Sequence, residues 1–437
     1  AAASHTGAVA TRDSAVTALF AKAGIIRVSG RGEMIDVACV LHAARGRLKG
    51  KRICIVTDAG GPGVMFSDEL SRQGLELPLL KPETQRALAQ ILPPESATAN
   101  PVDALPSRSA EQISGTIHVL AQYESDAIDL IAVLTGDSGL SDNAGIYQVI
   151  SRASGAGAIP LLPVLSSVTS CRAKIGEFIA QGHVFFPDEV ELGRALGKVA
   201  RWRLPESEVP ELNDYDTARI RAALEGREGP LPPATVRQVL TAAGFRLPRQ
   251  IEIFQQDKLT DCCREIGYPL VMKVIGPLHK TDVGGVKPGI AHGTQALDGW
   301  NELMKIDGAL GVLLQPHIPG SEVILGASRE GRFGHLLMVG LGGIYAEVLK
   351  DFSFALAPVG QAESQELIRG LRSFPLLEGV RGQAGMDLAL LADQIQRLGR
   401  LVTDFPQIKE LDLNPLKGSG RALVAVDARI VVAPIRN

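Results

Sequence analysis

The stretch YPLVMKVIGPLHKTDVGG, residues 268–285, is the most informative part of the chain because it joins an apolar strand, a single lysine and a glycine-rich loop. Lys273 lies in the middle of the apolar run, and Gly284 and Gly285 end the stretch. A lysine can neutralise phosphate charge, and glycines allow backbone N–H groups to approach phosphate oxygens closely. A core strand whose lysine reaches the surface is the alternative interpretation, and the stretch alone favours neither.

The composition is that of a multidomain globular chain. Its 437 residues are 45% hydrophobic and 4% aromatic, and the formal net charge is −3. At about 100–200 residues per domain, this length predicts several domains. The small charge and the scarcity of aromatic residues disfavour nucleic acid and anionic membrane surfaces as partners. No apolar run approaches the ~20 residues of a membrane span.

The cysteines and the first residues bear on the cellular setting. The five cysteines show no metal-ligand spacing, which favours a reduced cytoplasmic protein. The chain starts AAASHTG without methionine, so we expect it to be a piece of a longer protein.

The first half of the chain alternates strands with helices. Residues 1–48 are predicted to form helix, short strand (25–28) and helix, and the near-continuous apolar run 52–57 then leads into DAGGPG. Such apolar runs are typical of parallel strands that are covered on both faces. The pattern predicts doubly wound α/β domains, with residues 1–48 as the end of one and residues 49–203 as a second.

The second half has a different architecture. Residues 203–232 are rich in Pro and Glu and contain one amphipathic helix, which predicts an interdomain linker at 204–232. From residue 233 to residue 437, helices mix with antiparallel-looking strands, which is typical of an α+β domain.

Two polar residues near the C-terminus are candidates for metal ligation. Asn414 in LDLNPL (411–416) and Asp427 in VDAR (426–429) are each predicted to end a short apolar strand. Mg²⁺ in phosphoryl transfer takes few protein oxygen ligands and shares the phosphates. The alternative is a turn-forming Asn-Pro pair and an ordinary aspartate at a strand end.

Taken together, these motifs resemble the ADP-forming acyl-CoA synthetases, which are relatives of succinyl-CoA synthetase. In the second half the resemblance rests on Lys273, HKTDVGG (279–285), GSEVILG (320–326), GLGGIYAEVLKD (340–351), LDLNPL and VDAR. In the first half it rests on SHTGA (4–8), TDAGGPGV (57–64) and NPVD (100–103). The resemblance covers nearly the whole chain. It implies flavodoxin-like domains followed by an ATP-grasp nucleotide-binding domain at residues 233–437.

The resemblance implies a Mg²⁺–nucleotide site in the second half and a phosphate loop in the first. The matching positions are Lys273, Gly284 and Gly285 for the nucleotide phosphates, Gln315 and Glu322 for adenine and ribose, Asn414 and Asp427 for Mg²⁺, and Gly60, Gly61 and Gly63 for the phosphate loop. Glycines at a helix N-terminus suit a phosphoryl group because backbone N–H groups and the helix dipole both favour an anion.

Two histidines match the catalytic residues of the family. His5, in SHTG, corresponds to the histidine that becomes phosphorylated, and His279 to a second histidine that carries phosphate to the nucleotide site. Imidazole suits this role because it is neutral near pH 7 and nucleophilic at one nitrogen. Succinyl-CoA synthetases lack the second histidine, so the chain resembles the acetyl- or general acyl-CoA branch.

The implied reaction converts a carboxylic acid, CoA and ATP to acyl-CoA, ADP and phosphate through acyl phosphate and phosphohistidine. The resemblance also implies a homo-oligomer such as a dimer, or a hetero-oligomer with a CoA-binding part, because the family's CoA-binding domain does not precede SHTG here. Asp58 replaces the asparagine of the family's TNAGG motif. A carboxylate there would oppose a phosphate unless it is turned away or hydrogen-bonded.

Two other functions are consistent with part of the sequence. Some bacterial protein acetyltransferases carry a non-catalytic, synthetase-like regulatory region, but such regions often lose active-site residues that are present here. A carboxylate–amine ligase of the wider ATP-grasp group has no use for the phosphohistidine motif. The sequence does not distinguish ATP from GTP, nor does it identify the acid.

Overall fold

The computed structural model describes residues 12–44, 46, 48–137, 143–157, 159–202, 211–276, 284–331, 333–343, 349–380, 384–420 and 422–434. The chain divides into two compact units. The parallel-sheet unit contains residues 26–204, and the two-sheet unit contains the described parts of residues 1–25 and 205–437. Within the described ranges, no helix has the length and apolar character needed to cross a membrane. All five cysteines are free thiols.

The described elements up to residue 204 include four strands separated by one or two helices each. In chain order they are α1 Arg12–Lys22, α2 Arg31–Ala44, β1 Ile53–Thr57, α3 Gly60–Arg72, α4 Pro82–Ile91, β2 Val102–Asp103, α5 Ala110–Tyr123, β3 Leu130–Thr135, α6 Ala144–Ala156, β4 Leu161–Leu165, α7 Arg172–Ala180 and α8 Glu189–Arg201. The helix α1 belongs to the two-sheet unit, and the other elements form the parallel-sheet unit.

The parallel-sheet unit is a doubly wound sheet with the strand order β2-β1-β3-β4. Every residue of β1, β3 and β4 is buried, because apolar cores cover both faces of the sheet. In the register, Val56 of β1 lies opposite Val102 on one side and Val133 on the other. The chain passes from β1 to β2 on one side and returns to β3 on the other, so the crevice between β1 and β3 is the switch point.

The two-sheet unit contains the remaining elements. They are α9 Thr217–Leu224, β5 Gly229–Pro230, α10 Pro233–Ala242, β6 Ile251–Ile253, α11 Leu259–Ile266, β7 Leu270–Ile275, β8 Val286–Ile290, α12 Gly293–Leu303, β9 Gly311–Pro316, β10 Ser321–Arg329, β11 His335–Leu341, β12 Phe352–Leu356, α13 Gln361–Arg369, α14 Phe374–Glu378, α15 Leu388–Asp404, β13 Ile408–Ser419, β14 Ala422–Ala425 and β15 Ala428–Val432, with a short 3₁₀ turn at Gln256–Lys258.

Two antiparallel sheets organise this unit. The large sheet has the order β12-β11-β10-β13-β15-β5 with β14 paired to β13, and the small sheet has the order β6-β9-β7-β8. The amphipathic helix α15 packs against β10 and β11 of the large sheet. The helix α12 packs against β7 and β8 of the small sheet, where Trp300 and Leu303 meet Met272 and Val274 in one apolar core. Lys273 therefore lies on a strand whose neighbouring side chains hold the small sheet in place.

The compact units differ from the predicted domain limits in two places. The helix α1 packs against β12, with Ala15 and Ala18 in a cluster with Leu336 and Leu356, so it groups with the two-sheet unit rather than with residues 26–48. The predicted linker also differs, because its helix α9 is held in the core of the large sheet and β5 pairs with β15.

Two predictions about strands are wrong. Residues 25–28 form no strand. Asn414 does not end its strand, since β13 continues through it to Ser419 and pairs there with β14. Apolar runs locate strands well, but hydrogen-bonding partners elsewhere in the chain determine where the strands end.

Candidate functional site

Lys273 bridges the two sheets of the two-sheet unit. Its side chain, on β7, is buried, with 5% of the residue exposed. The Nζ atom donates a hydrogen bond to the carbonyl oxygen of Val426 at 3.2 Å and lies 3.7 Å from Oδ2 of Asp427. Val426 and Asp427 lie between β14 and β15 of the large sheet. The cation predicted from the sequence thus faces the predicted metal ligand across the junction of the sheets.

Gln315 converges on the same carbonyl group. It lies on β9 opposite Val271 of β7, and 1% of the residue is exposed. Its Nε2 atom donates to the oxygen of Val426 at 3.3 Å. Because only the amide N–H₂ group can donate to a carbonyl, this contact determines the amide orientation. The buried Oε1 atom then has no hydrogen-bond partner among the described residues. A buried acceptor without a donor is costly, so this atom fits a donor group on a bound ligand.

Asn414 and Asp427 are brought together by the backbone. The N–H group of Asn414 donates to the carbonyl oxygen of Asp427 at 3.1 Å. The Asp427 side chain is half exposed, and its Oδ1 atom accepts from the N–H group of Ala428 at 2.9 Å. Two neighbouring oxygen donors with solvent access suit Mg²⁺, which keeps waters and shares the phosphates of a nucleotide.

A metal site built from protein groups alone is a different arrangement. Within the part of the chain that the structure describes, no group of three or more His, Cys, Asp or Glu residues could hold a metal ion. Asn414 and Asp427 therefore fit a cation that arrives with phosphates, and they do not fit a structural metal centre with many protein ligands.

Glu322 lies on β10, the strand beside β13. It is opposite Lys417, and its Oε1 atom is 2.7 Å from Nζ of Lys417. The turn that begins with Gly342 packs against it: the N–H group of Gly342 donates to the carbonyl oxygen of Glu322 at 2.7 Å. At Gly343, φ is +77°, and a Cβ atom would lie 3.2 Å from Oε2 of Glu322. The positive φ favours glycine here, and a Cβ atom would in addition crowd the Glu322 carboxylate.

The predicted phosphate-covering loop is described only at its end. The carbonyl oxygen of Gly285 accepts from the N–H group of Val274 at 2.8 Å, and Gly284 has a φ of +67°. These contacts place both glycines beside the strand that carries Lys273. His279, on this loop, and His5 lie outside the described residues.

The predicted phosphate loop of the parallel-sheet unit forms the N-terminus of α3. Gly60 and Gly61 are exposed, and no side chain caps the helix at Ala59. Gly63 differs: it is buried, its N–H group donates to the carbonyl oxygen of Ala59 at 3.4 Å, and a Cβ atom would lie 3.1 Å from Cγ2 of Thr57. The geometry suits Gly60 and Gly61 to an anion and Gly63 to close packing.

Asp58 is turned away from this helix N-terminus. Its Oδ2 atom accepts from Oγ1 of Thr135 at 2.7 Å and from the N–H group of Gly136 at 3.1 Å, and it lies 2.6 Å from Nη2 of Arg108. Burial raises the pKa of the Asp58 carboxyl above its ordinary value, while the Thr135 hydrogen bond and the Arg108 charge oppose that rise. Sequence reasoning missed Arg108 because no motif marks it.

The NPVD motif has a structural use in this unit. The Asn100 side chain accepts from the N–H group of Ile55 at 3.0 Å and donates to the carbonyl oxygens of Ile53 and Pro78 at 2.9 and 3.1 Å. These contacts join the motif to β1 and support the strand that leads into α3.

Family models match three parts of the chain. An ATP-grasp domain matches residues 222–432, a succinyl-CoA ligase-like flavodoxin domain matches residues 1–41, and a ligase-CoA domain matches residues 53–125. The beta subunit of acetate–CoA ligase [ADP-forming] I from Pyrococcus furiosus is 36% identical over 48% of this chain and 95% of its own length. The chain belongs to the ADP-forming acyl-CoA synthetase family.

Two longer relatives match almost the whole chain. Acetate–CoA ligase [ADP-forming] I from Archaeoglobus fulgidus is 32% identical over 99% of the chain, and 4-hydroxybutyrate–CoA ligase [ADP-forming] from Nitrosopumilus maritimus is 28% identical over 98%. The chain spans 64% of the length of each. Membership of the ADP-forming acyl-CoA synthetase family, predicted from the order of the motifs, is confirmed, and so is the fold class of doubly wound and ATP-grasp domains.

Proposed function

We propose that this chain is the phosphoryl-transfer part of an acid–CoA ligase (ADP-forming), which converts a carboxylic acid, CoA and ATP to acyl-CoA, ADP and phosphate. The observation that carries the proposal is the convergence of Lys273, Gln315 and Asp427 around the Val426 carbonyl, between the two sheets of an ATP-grasp domain. The relatives are named for acetate and for 4-hydroxybutyrate, so the comparisons support the reaction class and leave the acid open.

The chemistry assigns a separate task to each group. A carboxylate is a poor acyl donor because its oxygen is a poor leaving group, and conversion to an acyl phosphate removes this difficulty. His5 would carry the phosphoryl group between sites, and His279 would pass it to or from the nucleotide. Lys273 would leave the Val426 carbonyl and neutralise phosphate charge. Asn414 and Asp427 would hold Mg²⁺, which when bound neutralises the charge of the β- and γ-phosphates.

We further propose that the nucleotide base is adenine. The Oε1 atom of Gln315 is a buried acceptor in a determined orientation, and adenine offers an amino donor at its 6-position. Guanine offers an acceptor oxygen there, so two acceptors would face each other. The Gln315 contact therefore favours ATP over GTP.

The assembly follows from the same proposal. We propose a homodimer or a hetero-oligomer with a CoA-binding part, acting in the cytoplasm. Separate subunits exist among the relatives, since the Pyrococcus furiosus protein that matches 48% of this chain is a beta subunit.

The direct test is labelling with ATP that carries ³²P at the γ-phosphate. With Mg²⁺, the protein should take up a label that is stable in base and lost in acid, as expected for phosphohistidine. His5→Ala should abolish the label, and the matched change at an exposed histidine of α5, His118→Ala, should leave it intact. Acyl-CoA binding without any label in the folded wild-type protein would support the regulatory alternative instead.

The role of His279 needs a separate variant. If His279 transfers the phosphoryl group, His279→Ala should abolish ATP-dependent labelling of His5 while Mg²⁺–ADP still binds. Undiminished labelling in that variant would exclude the relay, although the nucleotide site itself could remain.

A further inference from the structure

A network of charged and polar groups lies at the carboxyl edge of the parallel sheet, outside the nucleotide site. Asp58 follows β1, and Thr135 and Gly136 end or follow β3. Their hydrogen bonds, at 2.7 and 3.1 Å, cross the crevice between β1 and β3. Doubly wound folds usually bind ligands at this switch point. Here the chain fills the crevice with its own carboxylate.

Arg108 is the cation of this network. It is 1% exposed, and its Nη2 atom lies 2.6 Å from Oδ2 of Asp58 and donates to Oγ1 of Thr135 at 2.6 Å. The same atom donates to Oδ1 of Asn143 at 3.0 Å, and Nη1 donates to the carbonyl oxygen of Pro106 at 2.8 Å. The hydroxyl of Thr135 therefore accepts from the arginine and donates to the aspartate in a closed triangle.

Other acidic residues lie near the N-terminus of α3, so the positive charge of Arg108 matters there. Besides Asp58, Asp103 ends β2 and Asp137 follows β3 at the same edge. A Cβ atom on Gly60 would lie 3.8 Å from Oδ2 of Asp103, so one of these carboxylates is close to the exposed glycines. An anion bound at the N–H groups of Gly60 and Gly61 would meet this negative charge at short range.

We propose that Arg108, paired with Asp58, is a positioning residue that offsets the acidic charge at the switch point and so allows the N-terminus of α3 to hold a phosphoryl group. The inference rests on the proposed function, in which Gly60 and Gly61 receive the phosphohistidine. Arg108 acts through Asp58 and Thr135 and touches no substrate. A buried ion pair that only stabilises the fold would make a different prediction, because loss of either partner would then impair the site in the same direction.

The test measures the affinity of the purified protein for inorganic phosphate by calorimetry. Arg108→Met leaves the Asp58 carboxylate uncompensated, so phosphate affinity should fall by on the order of tenfold. Asp58→Asn leaves the arginine charge in excess, so affinity should rise by a similar factor. The double variant should return close to the wild-type affinity, because the two charges are removed together.

Further variants keep the test decisive if one change prevents folding. Arg108→Lys retains the charge and should stay nearer to wild type than Arg108→Met, and Asp58→Asn can be measured alone against the wild type. Arg86→Met, at an exposed arginine of α4, is the matched control and should leave phosphate affinity unchanged.

The opposite signs of the two single variants are the decisive observation. If Arg108→Met and Asp58→Asn change phosphate affinity in the same direction, or if neither changes it, the inference is overturned. The two variants could change phosphate affinity in opposite directions while the wild-type protein takes up no label from ATP. That combination would support the inference and would count only against the proposed ligase activity.

Discussion

The two polar centres of this molecule differ in how completely the chain satisfies them. At the switch point of the parallel sheet, the Asp58 carboxylate accepts from a hydroxyl and a backbone N–H group and faces an arginine. Between the sheets of the ATP-grasp domain, the buried Oε1 atom of Gln315 has no hydrogen-bond partner in the described part of the chain, and half of the Asp427 side chain is exposed. The protein itself supplies the partners of the Asp58 carboxylate, whereas the Gln315 acceptor has unused bonding capacity.

This difference separates residues that support a site from residues that bind a ligand. Burying a polar group without a partner is unfavourable, so a folded chain retains such a group chiefly where something else binds to it. The Oε1 atom of Gln315 has no hydrogen-bond partner among the described residues, whereas Oδ2 of Asp58 contacts Thr135, Gly136 and Arg108. We therefore expect substitutions at the first centre to change stability as well as phosphate affinity, and substitutions at the second to change mainly nucleotide binding.

The largest expected effect is the loss of stability in Arg108→Met. This change leaves the buried Asp58 carboxylate without its counter-charge, which should lower the free energy of unfolding by about 3–5 kcal/mol. The chain has two tryptophans, Trp202 in the parallel-sheet unit and Trp300 in the two-sheet unit. Urea unfolding followed by fluorescence in a Trp300→Phe background therefore reports the parallel-sheet unit.

The control for this experiment is again Arg86→Met, which should change the free energy of unfolding by less than about 0.5 kcal/mol. A loss below about 1 kcal/mol in Arg108→Met would contradict the view that the hydrogen bonds and charges around Asp58 form a stabilising network.

The next effect in size is the Mg²⁺ requirement of Asp427→Asn. Replacing the half-exposed carboxylate by a neutral amide should raise the Mg²⁺ concentration needed for half-maximal ADP binding by about 10- to 100-fold. Stability should change little, since the side chain is exposed on one side. Asp307→Asn, at an exposed aspartate of the same unit, is the matched control. An unchanged Mg²⁺ dependence in Asp427→Asn would remove this residue from the metal site.

A smaller effect is expected on base preference in Gln315→Met. The variant keeps the side-chain length and removes the Oε1 acceptor, so the preference for ATP over GTP should fall by about tenfold. The Val426 carbonyl keeps its hydrogen bond from Lys273, which should preserve the local structure. Competition between ATP and GTP for the labelled site measures the ratio. An unaltered ratio would show that the open acceptor does not face the base.

The smallest effect is a pH dependence of stability that comes from another buried ionisable residue, His335 on β11. The residue is 3% exposed, and its Nε2 atom lies 2.6 Å from the carbonyl oxygen of Ile408. Burial lowers the pKa of His335 below its ordinary value of 6.5. The unfolded chain therefore takes up a proton that the folded chain does not. Stability should be constant above pH 6.5 and decrease as the pH falls from there towards the folded pKa.

This dependence is limited to one proton, or about 1.4 kcal/mol per pH unit at its steepest. His335→Gln should weaken the decrease of the free energy of unfolding with falling pH. The measurement uses a Trp202→Phe background, in which the fluorescence of Trp300 reports the two-sheet unit. His118→Gln, at the exposed histidine, should not alter that decrease. A wild-type slope that survives in His335→Gln would assign the acid sensitivity to other groups.

Much of the fold could be predicted from sequence patterns that act over short distances. The apolar runs of β1 and β7 lie close to their predicted positions, and the glycines of DAGGPG form the first turn of α3. The packing of α1 against β12 and the pairing of β5 with β15 could not be predicted, because those contacts join residues far apart in the chain.

The site shows the same division. Lys273, Asn414 and Asp427 were found because each lies in a motif with a chemical meaning, and the structure brings them together. Arg108 belongs to no motif, and only its burial beside Asp58 identifies it. The unpaired oxygen of Gln315 is equally invisible in the sequence, since it depends on which side of the amide faces Val426.

The central claim is that the junction of the two sheets around Lys273 is the Mg²⁺–nucleotide site, and calorimetric titration with Mg²⁺–ADP tests it most directly. Lys273→Met keeps the length of the side chain and removes the charge, so affinity should fall by about 100-fold with little change in stability. Lys305→Met, at an exposed lysine near the same sheet, should bind as the wild type does. Equal affinities for the wild type and Lys273→Met would contradict the claim.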